Sequence, residues 1–438
     1  MQNVFGTDGI RIKVGKDPLS MPSLWKLGSA IGAWITQKYG ENTHILISRD
    51  TRNSGEWIIS SLLSGILQYP VTIHQLPILP TPSLCKLMQE NANYHVGIMV
   101  SASHNSYEDN GIKIIDPQWG KISEKDEQSI IKFYNIAPLI SPSNFGSVKN
   151  YPDAALDYQY AIVKQFEPNF LKGLTIILDC AHGATYKIAP AIFSALGARV
   201  ILKNAQPNGK NINRECGALD TKSLQKAVLE NRADLGFAFD GDGDRVIAIS
   251  PDGIRKDGDD ILMLLTTHPN FAHQKIIVGT IMSNHGLDLY LENQGKKLIR
   301  TKVGDRYVAD YIHQNNLLLG GEQSGHIICH DYLPTGDGIY TALRVSQAII
   351  ETQNWQCKTF DHYPQLLVNV PIAFKKDLSD PEITTIIDDH KMQISSGRLI
   401  VRYSGTENLL RIMAEDRNES LIQRVCDSLA NQLLKYLG

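Results

Sequence analysis

Three aspartates occupy alternate positions in one short segment, FDGDGDR at residues 239–245. They follow the apolar run LGFAF, which predicts that the end of a buried strand holds the carboxylates of Asp240, Asp242 and Asp244 together. Carboxylates this close repel one another unless a positive charge neutralises them, and oxygen ligands suit a hard divalent cation. A solvated acidic turn is the alternative, whereas an EF-hand is disfavoured because Arg245 stands where that loop needs glycine. The segment therefore predicts a magnesium-type site.

A second polar segment, SASHN at residues 101–105, also leaves an apolar run, HVGIMV. Serine and asparagine are turn residues, so a surface turn is one interpretation. The other is a serine hydroxyl held out of a rigid strand end for chemistry. A serine hydrolase that uses Ser103 and His104 is disfavoured, because adjacent residues on an extended loop point apart and the sequence has no G-x-S-x-G elbow.

Two further loops offer groups that bind phosphates and sugars. The segment VRYSGTENLLR at 401–411 brackets S-G-T with two arginines, a combination that favours a phosphate site over a plain hairpin loop. The segment GGEQSGH at 320–326 sets a carboxylate, an amide, a hydroxyl and an imidazole between glycines, and these groups suit sugar hydroxyls. A buried, hydrogen-bonded histidine is an equally good interpretation of His326.

The loops must be positioned by the elements that precede them. Runs rich in Ile, Val and Leu that lack alternation are typical of strands buried on both faces, and helical patterns separate them. This order predicts parallel or mixed α/β sheets, with ligands outside the carboxyl ends of the strands. Polar stretches at 141–153 and 357–365 indicate domain joins, and the apolar stripe of 419–437 predicts a helix in a small terminal α+β domain.

Composition excludes several classes of protein. The 438 residues are 42% hydrophobic and 20% charged, as in globular proteins, and the net charge of −3 without basic tracts disfavours nucleic-acid binding. No apolar run approaches the roughly 18 residues that a membrane helix needs. The first residues lack the layout of a signal peptide, and the six cysteines lack C-x-x-C spacing. We therefore expect a cytoplasmic protein with reduced thiols, no zinc site and no membrane association.

Short segments in a fixed order run nearly from end to end: FGTDGIR (5–11), RDTRNSG (49–55), PTPSL (80–84), SASHNSYEDNGIK (101–113), DCAHGATY (179–186), DGDGDR (240–245), GTIMSNHGL (279–287), TKVGDRYV (301–308), GGEQSGH (320–326), TGDG (335–338) and RYSGTENLLR (402–411). As a set they resemble the α-D-phosphohexomutase superfamily, and within it the bacterial phosphoglucosamine mutases. The chain departs from the family pattern at Ser106, where proline is usual, at Ile12, where glycine is usual, and at Tyr403, where proline or lysine is common.

The resemblance implies an α/β fold of four domains around a central cleft, with three topologically related α/β domains and a smaller C-terminal α+β domain. The expected domains are 1–147 with the phosphoserine loop, 148–247 with the aspartate loop, 248–361 with the sugar-binding loop and 362–438 with the phosphate-binding loop. The resemblance leaves open whether the chain forms a homodimer.

The resemblance also implies an enzyme, an intramolecular phosphotransferase that interconverts glucosamine 6-phosphate and glucosamine 1-phosphate. The reaction would pass through a phosphoserine and a 1,6-bisphosphate and supply the synthesis of UDP-N-acetylglucosamine and cell-wall precursors. The glutamine of GGEQSGH favours the amino sugar, because the resembling phosphoglucosamine mutases read E-Q-S-G-H there. A phosphomannomutase or phosphoglucomutase of the same superfamily is the alternative. A catalytically idle sugar-phosphate sensor is disfavoured, because no catalytic group is missing.

Site residues and ligands follow from the same resemblance. The cofactors would be Mg²⁺ and, as activator, glucosamine 1,6-bisphosphate or glucose 1,6-bisphosphate, and the partner is a phosphosugar. The implied residues are, for catalysis, Ser103 (the phosphoserine), Lys113, His326 and Arg11; for the metal, Ser103, Asp240, Asp242 and Asp244; for the substrate, Arg245, Glu322, Gln323 and Ser324; and for the phosphate, Arg402, Ser404, Gly405, Thr406 and Arg411.

Overall fold

The structure is a computed structural model that describes residues 5–6, 9–136, 144–404 and 408–437. The chain divides into two compact units. The larger unit comprises Met1–Met282 and Ile299–Lys358, and the smaller unit comprises Ser283–Leu298 and Thr359–Gly438.

The first sheet of the larger unit has six strands in the order β1-β5-β4-β2-β3-β6. Its strands are β1 (Ile10–Lys13), β2 (His44–Arg49), β3 (Thr72–Gln75), β4 (Tyr94–Val100), β5 (Asp109–Ile115) and β6 (Ser147–Asn150), and its helices are α1 (Met21–Tyr39), α2 (Gly55–Ile66), α3 (Thr81–Glu90) and α4 (Glu124–Ile136). Strands β2, β3, β4 and β6 run parallel, and β1 and β5 pair antiparallel. Ile45, Ile47 and Ile98 are fully buried, as the apolar runs predict.

The second sheet has the order β11-β10-β9-β7-β8. Its strands are β7 (Thr175–Asp179), β8 (Arg199–Lys203), β9 (Leu235–Phe239), β10 (Val246–Ile249) and β11 (Arg255–Lys256), and the helices of this stretch are α5 (Ala154–Val163), α6 (Ile188–Ala195) and α7 (Lys222–Asn231). Strand β9 is the LGFAF run, and all five of its residues are buried. It pairs parallel with β7 and antiparallel with β10.

The third sheet has the order β13-β12-β14-β15. Its strands are β12 (Ile276–Thr280), β13 (Lys297–Thr301), β14 (Leu319–Gly321) and β15 (Ile327–Cys329), and the helices of this stretch are α8 (Gly258–Leu265), α9 (Pro269–Ala272), α10 (His285–Asn293), α11 (Asp305–Gln314) and α12 (Gly338–Thr352). Helix α10 belongs to the smaller unit. The GGEQSGH segment forms the hairpin between β14 and β15.

The smaller unit contains an antiparallel sheet in the order β16-β18-β17. Its strands are β16 (Gln365–Pro371), β17 (Arg398–Tyr403) and β18 (Leu409–Glu415), and two helices follow β16 and β18, α13 (Pro381–Lys391) and α14 (Glu419–Leu437). Helix α14 buries Ile422, Val425, Cys426, Leu429, Leu433 and Leu437, as its apolar stripe predicts.

These elements confirm the predicted fold class of three α/β domains and a smaller α+β domain. The four domain boundaries stay a prediction. All six cysteines are buried and form no disulfide. None of the described helices is both long and apolar enough to cross a membrane.

Candidate active site

The aspartate loop connects β9 to β10 and gathers three buried carboxylates. The ligand oxygens of Asp240, Asp242 and Asp244 lie within 4.8 Å of one another. The antiparallel pairing of Phe239 with Val246 fixes both ends of the loop. Burial raises the pKa of Asp240 well above its usual value, and the carboxylates of Asp244 and Asp242 raise it further. Three carboxylates in this buried loop therefore need positive charge nearby to stay ionised.

Lys113 is the amine that faces this loop. It extends from β5, and its Nζ lies 2.8 Å from Oδ2 of Asp242 and 2.9 Å from Oδ2 of Asp244. Burial alone would raise the pKa of Asp244, but Lys113 and His326 hold it well below its usual range. Oδ1 of Asp242 accepts no hydrogen bond from the residues that the structure describes. A buried oxygen in this state, among three carboxylates, fits a divalent cation with oxygen ligands.

Ser103 lies against the aspartate loop. It is fully buried, and its Oγ donates a hydrogen bond to Oδ2 of Asp240 at 2.7 Å. The two loops come close because residue 241 is glycine: a Cβ there would stand 2.5 Å from the carbonyl oxygen of Ser103. The structure thus brings together the predicted phosphoserine and the predicted metal ligands.

The conformation of Ser103 differs from the extended loop that the sequence suggests. Its φ of +50° lies in the left-handed region. This turns the chain back, so that Nδ1 of His104 lies 3.3 Å from the serine Oγ and does not point away. Burial lowers the pKa of His104 to about 3, with a further contribution from Arg245 and Arg11, so this imidazole is neutral. The hydroxyl still donates to Asp240, which leaves the serine directed at the carboxylates.

Two arginines flank the same site. The backbone N–H of Arg245 donates to Oδ1 of Asp240 at 3.2 Å, and its Nε lies 3.9 Å from Oδ1 of Asp244. Arg11 contacts the serine segment through Asn105, whose Oδ1 accepts from Nη1 at 3.3 Å. Both guanidinium groups add positive charge near Ser103.

The β14–β15 hairpin places His326 and Glu322 in the larger unit, near the aspartates. Nδ1 of His326 lies 3.8 Å from Oδ1 of Asp244, and its Nε2 accepts the N–H of Gly336 at 3.1 Å. Oε1 of Glu322 accepts the N–H of Gly304 at 3.0 Å. Burial raises the pKa of Glu322, and Asp305 raises it further. Gln323 is half-buried and Ser324 is exposed.

A cavity of about 270 Å³ adjoins His326. Trp119, Lys121, Asp305 and Arg306 contribute to its lining, together with apolar side chains. Its lining residues form two ion pairs, one between Lys121 and Asp305 and one between Arg306 and Glu127 on α4. Concave, partly apolar spaces with a few charged groups are typical of small-molecule sites.

The predicted phosphate loop belongs to the smaller unit. Arg402 and Arg411 are direct cross-strand partners on β17 and β18. Burial lowers the pKa of Arg402, and the neighbouring Arg411 charge lowers it further. Ser404 is buried, and its N–H donates to the carbonyl of Leu409 at 2.8 Å. Gly405 and Thr406 lie outside the described residues. Like charges directly opposite each other are unfavourable, so this pair suits an anion.

Several residues that hold the serine segment were not among the predicted site residues. Arg52 and Asp50 form a fully buried ion pair at 2.8 Å beside it, and Asn213 donates to the carbonyls of Ser103 and Asn105. Thr81 donates to the carboxylate of Asp242. One sequence signal could have predicted the ion pair. The motif RDTRNSG places two arginines and an aspartate directly after an apolar strand, where opposite charges can pair.

Family models match most of the chain. The first, "Phosphoglucomutase/phosphomannomutase, alpha/beta/alpha domain I", matches residues 2–138. Domain II of the same family matches 154–253, domain III matches 257–365 and the C-terminal domain matches 367–432.

Relatives of known name and solved structures agree with these matches. The chain is 40% identical over 433 residues to the phosphoglucosamine mutase of Zymomonas mobilis, with 97% of each chain covered. The fold is similar to that of a phosphoglucomutase/phosphomannomutase family protein from Burkholderia thailandensis, with a TM-score of 0.82, 20% identity, and 99% and 98% of the two chains covered. It is also similar to Aspergillus fumigatus N-acetylphosphoglucosamine mutase in complex with GlcNAc-6P and magnesium, with a TM-score of 0.65, 18% identity, and 99% and 96% covered.

Proposed function

We propose that this chain, which belongs to the phosphoglucomutase/phosphomannomutase family, is a phosphoglucosamine mutase that interconverts glucosamine 6-phosphate and glucosamine 1-phosphate. The observation that carries the proposal is the contact of the Ser103 hydroxyl with Asp240, inside a cluster of three buried carboxylates. A relative that is 40% identical over 97% of the chain bears this name, which supports the amino-sugar assignment.

Ser103 is the proposed carrier of the phosphoryl group. A phosphoserine adds a charge of about −1.5 to −2, which three carboxylates would oppose without added positive charge. We propose that Asp240, Asp242, Asp244 and the phosphoserine hold Mg²⁺ there, and magnesium is present in the A. fumigatus relative. When bound, this ion supplies charge neutralisation and stabilises the serine oxygen as it leaves the phosphorus.

The neighbouring cations hold the transferring group. Lys113 keeps its ammonium between Asp242 and Asp244, so its first role is electrostatic. Arg11 and Arg245 add guanidinium charge at the serine segment. His326, whose Nδ1 lies 3.8 Å from Oδ1 of Asp244, is proposed to exchange a proton with the sugar hydroxyl. Lys113 is the second proposed proton shuttle.

The reaction balances without an external reactant other than the priming bisphosphate. The O1 hydroxyl of glucosamine 6-phosphate attacks the phosphorus on Ser103, the serine Oγ–P bond breaks, the hydroxyl proton passes to a base, and the leaving serine oxygen takes up a proton. The product is glucosamine 1,6-bisphosphate and a free serine. After the bisphosphate reorients in the site, its 6-phosphoryl group is transferred to Ser103, and glucosamine 1-phosphate is released. Glucosamine 1,6-bisphosphate or glucose 1,6-bisphosphate would restore the phosphoserine of an enzyme that has lost it.

The smaller unit is proposed to bind the phosphate that does not react. Arg402 and Arg411 offer two adjacent guanidinium forks, and Ser404 offers a hydroxyl. Gly405 and Thr406 are proposed to complete this loop. Fixing the distant end of the substrate orients its hydroxyl toward the phosphorus, and orientation of this kind supplies much of the rate in phosphoryl transfer.

The proposed amino-sugar preference depends on the β14–β15 hairpin. Glu322 can pair with a protonated 2-amino group, and a hydrogen bond to a charged group contributes about 1.5–3 kcal/mol. This corresponds to roughly ten- to hundredfold discrimination against a 2-hydroxyl. Gln323 and Ser324 are proposed to contact the remaining hydroxyls. The product would enter the synthesis of UDP-N-acetylglucosamine and cell-wall precursors in the cytoplasm.

The test is a comparison of kcat/KM for glucosamine, glucose and mannose 6-phosphates on the phosphorylated enzyme with Mg²⁺. We expect the highest kcat/KM for glucosamine 6-phosphate. Glu322→Gln should lower kcat/KM for glucosamine 6-phosphate more than it lowers kcat/KM for glucose 6-phosphate. If glucose or mannose phosphate gives the highest value, the chain is a phosphoglucomutase or phosphomannomutase and the amino-sugar assignment is wrong.

A further inference from the structure

We infer that Arg52 and Asn213 are positioning residues for phosphoryl transfer, which hold the segment 101–109 from two separate parts of the chain. We call this segment the serine loop. The inference rests on the proposed role of Ser103 and adds two residues that act on the backbone carbonyls of the serine loop.

Arg52 is fully buried and uses every N–H of its guanidinium group on two targets. Nε donates to Oδ2 of Asp50 at 2.8 Å. The four remaining N–H groups all donate to backbone carbonyls of the serine loop: those of Ser103 (2.9 Å), Asn105 (2.8 Å), Asp109 (3.0 Å) and Ser106. A buried cation that donates four hydrogen bonds to one loop fixes the backbone path of that loop.

Asp50 extends the same network to the backbone N–H of Ser103. Its Oδ2 accepts the hydroxyl of Ser101 at 2.6 Å, and the Ser101 Oγ accepts the N–H of Ser103 at 2.9 Å. The carbonyl and the N–H of Ser103 are therefore both tied to the Arg52–Asp50 pair.

Asn213 approaches the serine loop from the connection between β8 and α7. Its Nδ2 donates to the carbonyl of Ser103 at 2.8 Å and to that of Asn105 at 3.0 Å. Asn213 is itself anchored, because its N–H donates to the carbonyl of Ala181 at 2.9 Å. The two carbonyls that Asn213 binds are also bound by Arg52, so two separate parts of the chain grip the same atoms.

The backbone conformation of Ser103 explains why these hydrogen bonds from Arg52 and Asn213 are needed. A φ of +50° is disfavoured for a residue with a Cβ, and such residues stay in this region only when their surroundings enforce it. Position 106 is serine, so no proline ring restricts this part of the loop. Released from Arg52, Ser103 would relax toward an extended conformation and its Oγ would leave Asp240.

Loss of the hydrogen bonds from Arg52 or Asn213 to the serine loop should slow the chemical step without weakening substrate binding. The groups proposed to bind substrate lie in other segments, at 322–326 and 402–411. A displacement of about 1 Å in a reacting group costs about a hundredfold in rate. We therefore expect kcat to fall while KM stays nearly constant.

The experiment compares Arg52→Lys and Asn213→Ala with Arg49→Lys, in the full chain with Mg²⁺ and priming bisphosphate. Arg49 is the matched control, because it belongs to the same motif but pairs with the exposed Glu56. We expect kcat to fall about a hundredfold in Arg52→Lys and about tenfold in Asn213→Ala, with KM within about threefold in both. Arg49→Lys should match the parent protein. The ³¹P resonance of the phosphoserine should broaden in the first two variants only.

The inference is overturned if both variants fold, give a sharp phosphoserine resonance and keep kcat within about threefold of the parent value. A rise in KM at constant kcat would also overturn it. If Arg52→Lys does not fold, Asn213→Ala decides, because it leaves the buried ion pair intact. Ser103→Ala is measured in parallel: activity there removes the proposed function, whereas an inactive Ser103→Ala beside fully active positioning variants removes the inference alone.

Discussion

Replacement of Asp240 by Asn should abolish activity and stabilise the metal-free protein. Asp240 faces two carboxylates with ligand oxygens within 4.8 Å, while Lys113 pairs with Asp242 and Asp244. At an effective dielectric constant near 20, one like-charge pair at this distance costs about 3.5 kcal/mol. Burial raises the pKa of Asp240, and the carboxylates of Asp244 and Asp242 raise it further, as this repulsion requires. We therefore expect a gain of about 1–3 kcal/mol in the free energy of unfolding.

The matched variant is Asp242→Asn. It removes a proposed metal ligand of the same type, but Asp242 pairs with the Lys113 ammonium and accepts a hydrogen bond from Thr81, whereas the Ser103 hydroxyl and the Arg245 N–H that donate to Asp240 are neutral groups. Breaking those contacts offsets the relief of repulsion, so the metal-free stability should not rise. Both variants should lose Mg²⁺-dependent activity.

The assay is thermal unfolding with Mg²⁺ and with a chelator. Bound metal at 100 times its Kd contributes about 2.7 kcal/mol to the parent protein, so the parent Tm should rise with Mg²⁺. The Tm of Asp240→Asn should be several degrees above that of the parent in chelator and should not respond to Mg²⁺. The reasoning fails if Asp240→Asn unfolds at a lower temperature than the parent in chelator, or if it keeps a mutase activity that the chelator removes.

Three other predictions test separate parts of the molecule. Ser103→Ala should abolish turnover in a coupled assay, whereas Ser101→Ala, which loses the hydrogen bonds to the Ser103 N–H and to Asp50, should reduce kcat about tenfold; equal rates in the two variants would contradict this. Arg402→Lys should raise KM about tenfold by removing a bidentate fork, and an unchanged KM would argue against the phosphate assignment. Burial raises the pKa of Asp337 to about 6, above the value near 3.9 of an unfolded chain. The folded state therefore binds this proton more tightly, and stability rises as pH falls from about 7 to about 4, by up to roughly 3 kcal/mol. Asp337→Asn should remove that dependence and raise Tm at about pH 8 much more than at about pH 5; an equal shift at both would refute it.

Local patterns were sufficient for the strands and for the carboxylate cluster. The apolar run before Asp240 is a buried strand, and the three aspartates do converge, because glycines bend the loop that follows. The stripe in α14 is buried as its helical spacing predicts. Each of these features depends on residues close in the chain, where hydrophobic periodicity carries the information.

Contacts across the chain could not be predicted in the same way. Lys113 reaches Asp244, 131 positions away, and Asn213 reaches the carbonyl of Ser103, 110 positions away. The left-handed turn at Ser103 brings His104 back toward the hydroxyl, and the carbonyl of Ser103 accepts hydrogen bonds from the distant Arg52 and Asn213. The sequence of the loop alone favours an extended path, so tertiary structure overrides the local preference.

The most direct test of the account is a single turnover of the phosphorylated enzyme. The protein, phosphorylated once with an ¹⁸O-labelled phosphoryl group, is mixed with one equivalent of unlabelled glucosamine 6-phosphate and Mg²⁺ and is quenched at increasing times. Mass spectrometry of the protein and the sugar then follows the phosphoryl group. We predict that the peptide containing Ser103 loses one phosphoryl group as an equal amount of bisphosphate forms. Formation of glucosamine 1-phosphate while Ser103 keeps its original phosphoryl group would contradict the account.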